Sequence, residues 1–142
     1  MTSTPEALPA TPLTPIPEDK RMDFLPRLFG HRLMVTGENA VYSFMEALSR
    51  DYHGGFWQFY ETGEGALYMA PEGRDPMKLA WDGNGFDAEV SSDAAGIIAT
   101  LFTLSHMSMS FRGCDYLADH YHRLLDFAAG HEESRLIFAA ID

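Results

Sequence analysis

The chain has 142 residues, the size of one domain. At that length roughly 68–70% of the unfolded surface is buried on folding, without a disulfide or a metal to help. Its 21 acids against 10 bases leave a net charge of −11, which argues against attraction to nucleic acid or anionic lipid. Cys114 is the sole cysteine, no apolar run approaches the roughly 18–20 residues that span a bilayer, and no basic-then-apolar leader is visible; a soluble, cytoplasmic protein without an internal disulfide is expected.

Residues 1–19 hold five of the eight prolines among Thr, Ala and Ser, too little apolar bulk to repay ordering, so a disordered Pro/Thr-rich tail is expected ahead of a domain at 20–142. Lys20, Arg21, Arg27 and Arg32 form a basic cluster, whereas 36–93 contains eleven acids and three bases; a solvated acidic face is the favoured explanation. Thr36 is the expected cap of a helix to about Tyr52, with Val41, Phe44, Met45, Leu48 and Tyr52 on one stripe and Gly54–Gly55 as its stop. The period then switches to two. Short runs at 56–61, 66–69, 77–81 and 86–90, separated by turns at 62–65, 71–76 and 82–85, predict an antiparallel meander of three to four strands. Ser91 or Ser92 caps a nearly all-apolar helix from Ala94 to Leu104, which reads as buried and central. The stretch 105–113 is a connection of unassigned structure. Two further helices are expected at 114–129, stopped by Gly130, and at 132–140. The fold class is α+β: a short meander packed with about four helices in one compact domain.

No residue pattern supports catalysis. Asp115, Asp119, His122 and Asp126 share one face of the third helix, but a straight stripe does not converge on an ion without ligands from elsewhere. His120 and His122 point about 200° apart on a helix and cannot share a metal. Asp82, Asn84 and Asp93 fall at positions 1, 3 and 12 of a calcium loop, yet Asp87 stands where that loop needs glycine, so a hairpin turn is favoured. The glycine pairs 63/65 and 83/85 lack a following helix to cradle phosphate. Cys114 has no evident base and reads as a buried thiol. The run 51–61, with five aromatics in nine residues, is the strongest local oddity; without Lys or Arg between Arg50 and Arg74 it suits a covered strand better than a base-stacking platform. No catalytic, metal or cofactor residue is assigned.

Taken together, DYHGGFWQFYE at 51–61, YMAPEG at 68–73, DGNGF at 82–86, SSDAAGIIATLF at 91–102 and RLIFAAID at 135–142 resemble the ArdB/KlcA family of antirestriction proteins, most closely its KlcA members. The resemblance covers about 20–142 and is weakest at 105–114. It implies a small α+β protein carried on plasmids or other mobile elements that relieves type I restriction–modification of incoming DNA, with no established catalytic residues and no cofactor. Three mechanisms follow as alternatives. Protein–protein binding to a restriction subunit or an associated host protein is favoured, by a monomer that does not itself bind DNA. A DNA mimic is the alternative: a domain of this length is about 37 Å across, and duplex DNA of that length carries about 22 charges, twice the net −11 present here. An unrecognised hydrolase built on Asp115, Asp119 and His122 is the remote third.

Overall fold

Every layer of the molecule is laid against one apolar helix. In the computed structural model, which describes residues 13–142, Ser92–Ser110 forms this helix (α2), and Ala94 to Leu101 are all buried. Ser91 is the residue that caps it, accepting from the Ala94 N–H at 3.0 Å, with Asp93 placed favourably in the first turn. The helix does not stop where the apolar run ends. It continues to Ser110, because Met107 finds a buried site and the hydroxyls of Thr103, Ser108 and Ser110 donate back to the carbonyls of Ala99, Ser105 and His106 at 2.8–2.9 Å. Back-bonding of this kind keeps hydroxyl residues inside a helix at little loss.

The first helix (α1, Phe24–Leu48) begins twelve residues before the expected Thr36, directly after a 3-10 segment at Glu18–Asp23. Pro26 sits in its first turn, where no N–H is required. Gly30 then bends it, with φ 80° and ψ 156°, a conformation only glycine adopts readily. The carbonyls released at the bend are taken up by a different helix: the Tyr116 hydroxyl donates to Phe29 O at 2.7 Å, and His120 Nε2–H donates to Arg27 O at 2.9 Å. Both donors belong to α3 (Asp115–Ala129), one turn apart. Downstream of the bend Val41, Met45 and Leu48 are buried as their spacing predicts; the helix ends at Leu48, and Tyr52 reaches the core from the loop beyond it.

Four strands are present and antiparallel, divided between two hairpins that are not hydrogen-bonded to one another: β1 (Trp57–Glu61) with β2 (Leu67–Pro71), and β3 (Met77–Trp81) with β4 (Phe86–Val90). A continuous meander is prevented at β2. Its outer edge is occupied by α2, whose Thr100 hydroxyl bridges Met69 N and O at 3.4 Å each, and Pro71 at the end of β2 and Pro76 just before β3 lack the N–H a ladder needs. Residues 13–17 run beside β1, where Ile16 N–H donates to Phe59 O at 2.8 Å; residues 1–12 of the proline-rich segment lie outside the described residues. The last helix (α4, Ser134–Ile141) buries Ile137 and Ala140 against α2 and is held at its end by Asn84, whose amide donates to Ala140 O at 2.8 Å. No helix among the described residues is long and apolar enough to cross a membrane.

Candidate functional site

The basic cluster near the N-terminus is largely used inside the molecule. Arg21 places its guanidinium 4.2 Å from the Phe59 ring centroid and 4.8 Å from that of Phe56, and donates to Trp57 O at 3.0 Å. Arg27 grips Glu61 with two bonds of 3.0 and 2.8 Å, which holds the Glu61 carboxyl below its ordinary range. Arg32 reaches the Cys114 sulfur at 3.6 Å. Each of these three guanidiniums therefore has a partner within the fold.

The aromatic run is likewise spent on packing. Phe59 stacks on Phe24 with centroids 4.3 Å apart, Trp57 donates its indole N–H to the Tyr52 hydroxyl at 2.7 Å, and Tyr60, Tyr68 and Phe127 form a continuous stack. Only Phe56, at 57% exposure, faces solvent broadly. Asp115, Asp119, His122 and Asp126 remain exposed along α3, and among the described residues no three His, Cys, Asp or Glu side chains are grouped to hold a metal ion. Asn84 Oδ1 accepts from Phe86 N–H at 3.0 Å within its turn.

One polar network stands apart, and nothing in the sequence pattern announces it. At the N-terminus of α2, Asp93 accepts from the Tyr68 hydroxyl at 2.6 Å through one oxygen and from His131 Nε2 at 2.8 Å through the other. His131 Nδ1 accepts the Glu133 N–H at 2.9 Å, and the Glu133 carboxylate receives both the N–H and the hydroxyl of Ser91. Asp93 is legible beforehand as a helix-dipole residue and as the last position of the rejected calcium loop, not as the centre of a network, since its partners lie 25 and 38 positions away. Burial and the adjacent Asp93 charge push the Tyr68 pKa far up, so its hydroxyl stays protonated. The bond to Asp93 raises the His131 pKa, against burial, and the Glu133 and Glu132 carboxylates add to the rise.

A Ser, a His and an Asp so close together invite comparison with a nucleophilic triad, and the bonding excludes it. A general base needs a free ring nitrogen facing the nucleophile. Here Nε2 is committed to Asp93 and Nδ1 to a backbone N–H, while the Ser91 hydroxyl is taken by Glu133 and the helix cap. The network is a clamp: it ties β2, the start of α2 and the α3–α4 loop together.

The model of the family described as antirestriction protein matches residues 50–142. The chain belongs to the antirestriction protein family. Two Escherichia coli proteins named antirestriction protein KlcA are each 45% identical to it, over 130 and 134 residues, covering 89% and 91% of this chain and 92% of each relative. The K12 protein YfjX is 36% identical over 133 residues, covering 92% of this chain and 87% of its own length. A solved structure from work on KlcA and ArdB superposes with a TM-score of 0.83 at 43% identity, covering 95% of this chain and 99% of its own; those proteins are described as showing a novel fold and antirestriction activity against type I DNA restriction systems in vivo but not in vitro. In this member of the antirestriction family the motifs that carried the resemblance serve the fold. Ser91 and Asp93 cap and clamp α2, Asn84 holds α4, and Gly96 lets α2 lie against β2.

Proposed function

We propose that this chain relieves type I restriction of incoming DNA in the cytoplasm, and that it does so by contacting a protein. That partner is a subunit of the restriction enzyme or a host protein governing it; the chain neither binds DNA nor catalyses a reaction. The observation that carries the reading is the 45% identity to KlcA over about nine-tenths of the chain, joined to the structural match. The mechanism is supported from two sides. The arginines that would track a phosphate backbone are engaged internally, and the nearest approach to a triad has no free base. The related proteins act in vivo and not in vitro, as expected where a cellular component beyond enzyme and DNA takes part.

The test is survival of unmodified phage or plasmid in cells that carry a type I system, with and without the chain. Restoration by at least tenfold is expected, together with recovery of a restriction subunit or host protein on the tagged chain. Relief that vanished on replacing Asp115, Asp119 and His122 by Ala, with the fold intact, would overturn the non-enzymatic reading. A gel shift of DNA by the purified protein at physiological salt would overturn the statement about DNA. The competing mimic predicts relief that weakens steeply with salt in a reconstituted assay.

A further inference from the structure

The loop that follows α1 is shaped to hold one arginine. Gly54 and Gly55 take φ of 93° and 130°, and Arg74 donates through Nη2 to Gly54 O, with its guanidinium 5.8 Å from the Tyr52 ring centroid. A Cβ on Gly55 would come within 2.7 Å of the same nitrogen, so the arginine uses the space that glycine leaves. Nη2 is spent on this bond, whereas Nε and Nη1 have no acceptor among the described residues. The cation so fixed borders an open pocket of about 180 Å³ between the loop and the start of β3. Pro76 and Met77 give the pocket an apolar wall, and Ser49 and Tyr52, 3% and 7% exposed, line it as well.

Four charged side chains complete the lining: Asp51 and Arg74 from the two loops, and Lys78 and Glu89, register partners across β3 and β4. None of them pairs with another, since the ion pairs among the described residues are Arg27–Glu61 and Asp93–His131. The loop side and the hairpin side therefore each offer one cation and one anion. A ligand of single charge would meet a like charge on either side; a ligand that carries both finds a partner for each. We propose that this pocket binds a small zwitterion of the α-amino-acid class, its carboxylate on Arg74 and Lys78 and its ammonium toward Asp51 and Glu89. The end of α1 favours that direction, because Ser49 is its C-cap and a helix C-terminus attracts positive charge. A cavity of about 150 Å³ holds benzene, so a compact amino acid such as valine is of the right size, with its side chain on Pro76 and Met77. The site is independent of the protein-contact reading above, and its test does not depend on restriction relief.

The test is titration of the purified chain with L-valine, followed by the backbone amide shifts in heteronuclear NMR spectra. Saturable shifts at residues 49–52 and 74–78 are expected, with a Kd of about 1–10 mM for a ligand this small. Isovalerate, which lacks the ammonium, and isobutylamine, which lacks the carboxylate, should each bind about tenfold more weakly or worse. Lys78→Gln and Asp51→Asn should each weaken valine about fivefold at an unchanged melting temperature. Glu64→Gln, in the exposed turn between β1 and β2, should stay within about twofold of the parent. Shifts that remain linear in valine up to about 100 mM would overturn the site. Binding of either single-charge analogue as tightly as valine would overturn the zwitterionic class of the ligand. Unchanged affinity in both Lys78→Gln and Asp51→Asn would put the valine elsewhere on the molecule and overturn the assignment of these residues.

Discussion

The two hairpins have strands of equal length and opposite circumstances. All five residues of β2 are buried: β1 pairs with it, α2 packs closely against it at Ala70, and Tyr68 stacks on Phe127 of α3. In β3 and β4 burial alternates, with Lys78, Ala80, Asp87 and Glu89 turned to solvent and Met77, Leu79, Phe86 and Val90 turned inward. The contrast teaches that strand pattern reports what lies on each face, not how strongly the strand is held. The decisive contact is at Gly96. A Cβ there would come within 2.4 Å of Ala70 Cα and Cβ and of Met69 O, so helix and strand backbones touch only because that side chain is missing.

Breaking that contact should have the largest effect. Gly96→Ala is expected to destabilise the protein by about 3 kcal/mol or more, since backbone on both sides must move, while Gly63→Ala, whose Cβ meets nothing within 4 Å, stays within about 0.5 kcal/mol. Urea midpoints at constant m measure both. Next comes the clamp on the buried hairpin. Tyr68→Phe removes the donor to Asp93 and is expected to lose about 1–2 kcal/mol, reduced by the partial exposure of that carboxylate. Lys78→Ala on the open hairpin should lie within about 0.5 kcal/mol. Asn84→Ala asks whether the open hairpin does structural work elsewhere. It unties the turn and the last carbonyls of α4 together, for an expected loss of about 1 kcal/mol and faster amide exchange near Ala140.

The smallest effects are in pH, where two histidines should act in opposite senses. The His131 pKa is raised in the fold, chiefly by its bond to Asp93, so the folded state holds the proton more tightly than the unfolded one. Its contribution is fully present below the ordinary value of 6.5 and is lost as pH rises through the folded pKa. His120 is lowered, chiefly by burial, and its contribution is lost as pH falls below that same value. His131→Gln should flatten the alkaline decline in stability and His120→Gln the acid one. Exchanged slopes in urea titrations from pH 5 to 8.5 would contradict both assignments.

The sequence by itself determined the elements whose causes are local. Ser91 caps α2 because its hydroxyl needs only the N–H three residues on; the apolar run from Ala94 marked the central helix; Thr62–Gly65 and Asp82–Gly85 marked both turns. The family was legible for a related reason, since its motifs are the residues that hold these local structures. Only the tertiary structure decided the rest. The helical start of α1 was hidden by Pro26 and Gly30, and the bend at Gly30 is tolerable because Tyr116 and His120 arrive from α3 to take the released carbonyls. Four strands became two hairpins because α2 occupied the edge of β2. Tyr68, Asp93 and His131 met across separations that no spacing rule reads. Hydrogen-bond geometry and backbone propensity act over a few residues and are written in order along the chain. Edge occupancy, carbonyl rescue and unfilled surface depend on which elements become neighbours, and that is settled when the core closes.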